Sequence, residues 1–143
     1  MSVDPPQPPA DQLDWKPALA YLPILAAPDF DPGDWAGGGQ LGPNHYATRY
    51  VAFSPDAEQF ITCLYDTDIV ASTDWTTWLQ EGGEAFYDEP DRLAEATLEE
   101  CRILLIAHVR ADRFSEGHLL ETLRSGHLVQ LLRRVRELVD QDA

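Results

Sequence analysis

The stretch that decides the fold is residues 97–139, TLEECRILLIAHVRADRFSEGHLLETLRSGHLVQLLRRVRELV. Thr97 followed by Glu100 has the spacing of a capping box, in which the threonine oxygen takes the amide three residues on and the glutamate reaches back. A helix is therefore predicted to begin near 98. Cys101, Ile103, Leu104, Leu105, Ile106, Ala107 and Val109 leave that helix no polar stripe at mid-length, the pattern of a helix that other elements surround. Ser115 is a good N-cap for a short second helix, and Gly126 is placed to end it in a left-handed conformation. Leu128, Leu131, Leu132, Val135, Leu138 and Val139 then recur at helical spacing, with Arg133, Arg134 and Arg136 largely opposite. Connections this short make the three helices neighbours.

Outward from this hub the signals thin. Residues 1–12 hold four prolines among small and polar residues and are expected to form a disordered tail, leaving 13–140 as a single globular domain. Asp11 or Asp14 can start a first helix through Trp15, Leu19 and Leu22, with Pro23 kinking or ending it. Residues 28–45 are dense in glycine and proline and read as one long loop, pegged to the body by Phe30 and Trp35. Residues 46–53 read as a strand, and residues 68–71 as a second strand returning beside it. Between them Ser54 and Pro55 open a helix with Ala57, Phe60, Ile61 and Leu64 on one face. Asp74 can cap a brief helix bearing Trp75 and Trp78, which leaves through Gly82 and Gly83. The predicted fold is mainly α, with five or six helices around the buried 98–112 helix and a short two-stranded β element.

The chain has 143 residues and a formal net charge of −15. Residues 1–101 carry 19 acids and 3 bases, whereas residues 102–143 carry 6 acids and 7 bases, so the helical hub is nearly neutral and the remainder acidic. Binding of nucleic acid by phosphate neutralisation needs clustered cations and is not expected. A basic partner, or imitation of DNA, is compatible with the charge; so is a surface that simply keeps the protein soluble. Cys63 and Cys101 share no CxxC-type spacing and read as small buried hydrophobes in a reducing compartment. No signal sequence or membrane span is recognisable, so a cytoplasmic protein is expected.

The densest polar cluster is His108, Arg110, Asp112, Arg113, Glu116, His118 and Glu121, at the bend between the central helix and the next. His108 and Asp112 share a helix face, and with His118 they are the catalytic candidates. No H-E-x-x-H or comparable ligand set is present, and no metal or cofactor is expected. Arg110, Asp112, Arg113 and Glu116 suit a salt-bridged corner, because the planar guanidinium fixes direction as well as charge. The functional alternative is an anion pocket formed by Arg110, Arg113, Ser115 and His118 at the start of the second helix. Nucleotide-loop and nucleophile motifs are absent from the sequence.

The run R-A-D-R-F-S-E-G-H at 110–118, then S-G-H-L at 125–128 and L-L-R-R at 131–134, resembles a bacterial family catalogued as a domain of unknown function. The likeness extends over residues 15–138, through a proline-interrupted first helix and a D-W-x-x-W segment at 74–78. What it implies is a signature of Arg110, Asp112, Arg113, Phe114, Glu116 and Gly117, with Gly126 bounding the last helix, as a structural corner or a binding site. It implies no activity. The leading expectation is an uncharacterised, non-enzymatic binding or regulatory protein, which can include a homodimer through the last helix and an unknown protein partner. The alternatives are an enzyme or small-molecule binder taking an anionic ligand at Arg110 and Arg113, and an acidic inhibitor of a basic protein.

Overall fold

The computed structural model describes residues 10–46, 48–71, 75–83, 85–112 and 117–141. Its centre is the helix α7, Leu98–Ala111, as the apolar run demands. The capping box is formed: the Glu100 amide donates to the Thr97 hydroxyl at 3.1 Å, and the Thr97 amide to the Glu100 carboxylate at 2.9 Å. Cys101, Leu104, Leu105, Ile106, Ala107 and Val109 are buried around its circumference.

In chain order, α1 (Lys16–Leu19) and α2 (Leu22–Leu25) are single turns, β1 is Gly33–Ala36, β2 Gln40–Gly42, β3 His45–Tyr46 and β4 Tyr50–Phe53. They are followed by α3 (Pro55–Asp66), α4 (Trp75–Trp78), α5 (Ala85–Asp88), α6 (Pro90–Leu93), α7, α8 (His118–Arg124) and α9 (His127–Gln141). Around α7 lie α4, α8, α9 and the turn Ala10–Gln12, while α3 packs on α1 and β4, and α2 on α9. The chain is mainly α with a short antiparallel sheet, as expected. Among the described residues no helix is long and apolar enough to cross a membrane.

Several local expectations are corrected. Residues 68–71 form a turn, in which Asp68 adopts a φ of 61°; the partner of β4 is β1, with Trp35 opposite Val51. The presumed long loop therefore contains β1, β2 and β3, the last two paired with each other. Its glycines meet special demands: Gly33, at the start of β1 with φ 122°, leaves no room for a Cβ against the Ala52 carbonyl oxygen, and Gly37 takes a φ of 75° just after that strand. The first helix is broken ahead of Pro23, as expected, but it ends already at Leu19 and does not reach Leu22. Pro23 sits in the first turn of α2, where its missing amide hydrogen costs nothing, just as Pro17 does in α1. The fold also starts before residue 13, since Ala10 is buried, its amide donates to Glu99 at 3.1 Å and its carbonyl accepts the Trp15 indole hydrogen at 2.8 Å. Asp74, the expected cap of α4, lies outside the described residues.

The third helix of the hub, α9, buries Leu128, Leu131, Leu132 and Val135 completely in the chain's own core. Arg133 and Arg136 are exposed, but Arg134 bends back to donate from Nε to the Ala96 carbonyl at 2.9 Å, tying α9 to the residue before the α7 cap.

Candidate functional site

Three helix ends meet where α7 stops and where α8 and α9 begin. Asp112, at the C-cap of α7, accepts the amides of Gly117 at 3.1 Å and Leu119 at 3.2 Å. A carboxylate at the end of one helix thus satisfies free donors at the start of the next. The expected N-cap, Ser115, lies outside the described residues; the N-cap of α8 is Gly117, with φ 100°. Glycine is required there twice over, because a Cβ would also stand 2.5 Å from the Trp35 ring. Gly126 likewise turns left-handed, at φ 82°, as its placement predicts. Each glycine is followed by a histidine that becomes the first residue of a helix, His118 in α8 and His127 in α9.

Both rings are delivered to His108, which is buried on the last turn of α7. His108 Nδ1 and His118 Nε2 are hydrogen-bonded at 3.0 Å, with ring centroids 5.2 Å apart and planes inclined by 27°. That centroid distance exceeds the nitrogen separation by about two ring radii, so the rings meet edge to edge rather than face to face. His127 stands almost perpendicular to His108, at 85° and 4.8 Å between centroids. Burial holds His108 well below the usual histidine range, and His127 and His118 beside it act in the same direction. Burial also lowers His118, against the opposing pull of the Asp112 carboxylate, and lowers His127, where His118 adds to the effect. Burial thus favours the uncharged form of all three rings. In their present orientations, among the described residues, no three His, Cys, Asp or Glu side chains surround a metal-sized point.

The other candidates divide. Arg110 lays its guanidinium over the Tyr65 ring at 5.5 Å, and Asp112 accepts backbone amides, while Arg113 and Glu116, the other members of the expected salt-bridged corner, lie outside the described residues. Arg113, Phe114, Ser115 and Glu116 lie outside the described residues, and with them half of the expected anion pocket. Glu121 is exposed on α8. The thiols are poor nucleophiles: burial pushes Cys101 up to about 12, and burial also raises Cys63. His127 escaped the sequence reading of the cluster. The signal was present, since the tripeptide Gly-His-Leu occurs twice, at 117–119 and 126–128.

A second feature lies on the far side of the α8–α9 corner. A groove of about 370 Å³ runs between the exit of α2 and the start of α9, with Leu25, Phe30, Pro32 and Val129 among its walls. Arg124 and Arg133 stand at it. The first is oriented by the Gly33 carbonyl at 3.1 Å and the Asp34 carboxylate at 2.9 Å, and the second is exposed beside Gln130. Neither arginine was singled out from the sequence as part of a site, because they come together only when α9 packs on α2.

A family model described as a family of unknown function, DUF6508, matches residues 10–141. No curated protein and no solved structure matches the chain. The matched region runs from the turn at Ala10 to the end of α9, and so takes in the histidine corner as well as the groove. The chain belongs to the DUF6508 family, whose function is unknown.

Proposed function

We propose that the protein is a non-enzymatic binding protein that takes an amphipathic organic anion in the groove between α2 and α9, and that it works in the cytoplasm. The observation that carries this reading is the presence of two arginines, Arg124 and Arg133, at a groove whose walls include Leu25, Phe30, Pro32 and Val129, in a chain whose acids outnumber its bases 25 to 10. On so acidic a surface the exposed Arg133 is an attractor for negative charge, and the apolar side chains of the groove wall offer contact to the rest of the ligand. Arg124 is ion-paired with Asp34 at 2.9 Å, so an incoming carboxylate shares an oriented guanidinium with Asp34. The commitment of Asp112 to backbone amides and the raised thiols of Cys63 and Cys101 favour binding over catalysis.

The test is calorimetric titration with straight-chain and aryl carboxylates of increasing apolar size. Saturable binding is expected to tighten with apolar length and to weaken by roughly tenfold or more in Arg133→Glu, the loss of one charge-assisted contact plus a repulsion. Absence of saturable binding across the series, or equal affinity in Arg133→Glu, sinks the reading.

A further inference from the structure

We propose that the α2–α9 groove is one half of a longer docking site for an extended acidic peptide, which lies along α9 with a carboxylate on Arg133 and an apolar side chain to either side. This rests on the reading of that groove as an anion site and names the partner. A second groove, of about 220 Å³, opens between the end of α6 and the middle of α9, with Leu93, Ala94 and Glu137 on its walls. Gln130 and Arg133 line both grooves, so the two meet on the surface of α9. Together they follow that helix from Gly126 to Glu137, about 16 Å of its axis. About five residues of extended peptide cover that length, and every second side chain falls on one face, about 6.6 Å from the next. The middle side chain of three then meets the shared pair, and the outer two reach one groove each.

The shared pair carries the recognition. Arg133 is exposed and has no ion pair among the described residues, whereas the arginines to either side are committed, Arg124 to Asp34 at 2.9 Å and Arg134 to Glu137 at 3.2 Å. In a chain of net charge −15, an arginine without a carboxylate partner favours an incoming one, and its planar fork fixes the direction of approach. Gln130 is also exposed, and its carboxamide makes no hydrogen bond among the described residues. A side-chain amide donates and accepts, which makes it the complement of a peptide group. A fatty or aryl acid has no such group and does not extend into the second groove. Phe30 and Pro32 at one end, and Leu93 and Ala94 at the other, offer contact to the outer side chains. A nucleic acid would need several unpaired cations in a row, and the two grooves present one.

The experiment titrates the full chain by calorimetry with two end-blocked peptides, leucine-serine-glutamate-serine-leucine and its first three residues alone. Expected is one pentapeptide per chain, bound roughly tenfold or more tightly than the tripeptide, since only the longer one fills both grooves. Glutamine in place of its glutamate should cost roughly tenfold, and so should Arg133→Glu in the protein. Ala94→Trp, at an exposed position just after α6, fills the second groove without adding charge. It should weaken the pentapeptide roughly tenfold and leave straight-chain carboxylates unchanged. Arg136→Glu, exposed on α9 but outside both grooves, should leave the pentapeptide nearly unchanged, with circular dichroism confirming that each variant folds. Equal affinity for the two peptides, or unaltered or tighter pentapeptide binding in Ala94→Trp, overturns the proposal while carboxylates that still bind keep the anion groove. Failure of peptides and carboxylates alike removes both. Dimerisation of the chain that is lost in Arg133→Glu would make a second copy the occupant, which also overturns it.

Discussion

Arg102 shows what a single residue can do inside an apolar helix. It is 3% exposed, one position from Cys101, yet its guanidinium has found the carbonyls of Ile69 at 3.1 Å and Asp68 at 3.0 Å. Those oxygens belong to the turn that leaves α3, where Asp68 is left-handed and the backbone has no ladder to join. A buried cation is tolerated because it meets a turn whose carbonyls would otherwise lack donors. Arg102→Met should therefore destabilise by about 2–3 kcal/mol although it raises the hydrophobicity of the core, as read from urea unfolding midpoints. A stability equal to the parent's would show that the carbonyls find other donors. The cysteines make the complementary case: Cys101, buried and pushed up to about 12, should resist alkylation at pH 8 until the protein unfolds, whereas half-buried Cys63 should react first. Peptide mapping after a timed iodoacetamide pulse distinguishes them.

At the scale of elements, the helices are bounded by chemistry that can be removed one group at a time. Thr97→Ala deletes one half of the α7 capping box and should cost about 1 kcal/mol, with the glutamate arm left in place. Asp112→Ala should cost more in local order of the corner than in global stability, because it frees the amides of Gly117 and Leu119 and lets the start of α8 fray. Amide hydrogen exchange at those two positions should accelerate by at least tenfold relative to the middle of α7; unchanged exchange would mean that another group caps α8. The single-turn helices α1 and α2 illustrate a subtler point. Pro23 reads as a breaker in the linear sequence, yet both it and Pro17 lie in the first turn of a helix, where no intrahelical donor is needed.

For the molecule as a whole, charge is the dominant variable. A net charge of −15 repels itself in the folded state, so raising NaCl from about 20 to about 500 mM should raise the thermal midpoint, a response set by screening lengths of about 20 Å down to about 4 Å. A falling midpoint would indicate that attractive pairs outweigh the repulsion. One such pair joins the sheet to the helices: Arg124 beside Asp34 holds the Asp34 carboxyl below its ordinary value, mainly by hydrogen bonding, with the Trp35 amide next. The sign follows from linkage: a depressed carboxyl contributes stability above its unfolded value and loses it as pH falls through the folded one. Acidification into that range should loosen β1 from α8 and alter the groove that Arg124 flanks. Since both side chains are well exposed, global stability should barely change, and loss of carboxylate binding is the more sensitive readout.

What the linear sequence determined by itself was whatever depends on near neighbours along the chain. The capping box at Thr97, the all-round apolar run after it, the helix cap at Ser54, the left-handed Gly126 and the amphipathic α9 each rest on contacts within a turn or two, and each is present. Tertiary structure alone decided what joins distant segments. The strand partner of β4 proved to be β1 and not residues 68–71, because pairing is chosen by which edges the folded chain brings together, and short strands carry little register information. His127 joined His108 and His118 because two left-handed glycines aim successive helix starts at one point. Arg124 and Arg133 came to stand at one groove only through the packing of α9 on α2. Periodicity reports which side of a helix is oily; it does not report what that side will meet, and the chemistry of this protein lies in those meetings.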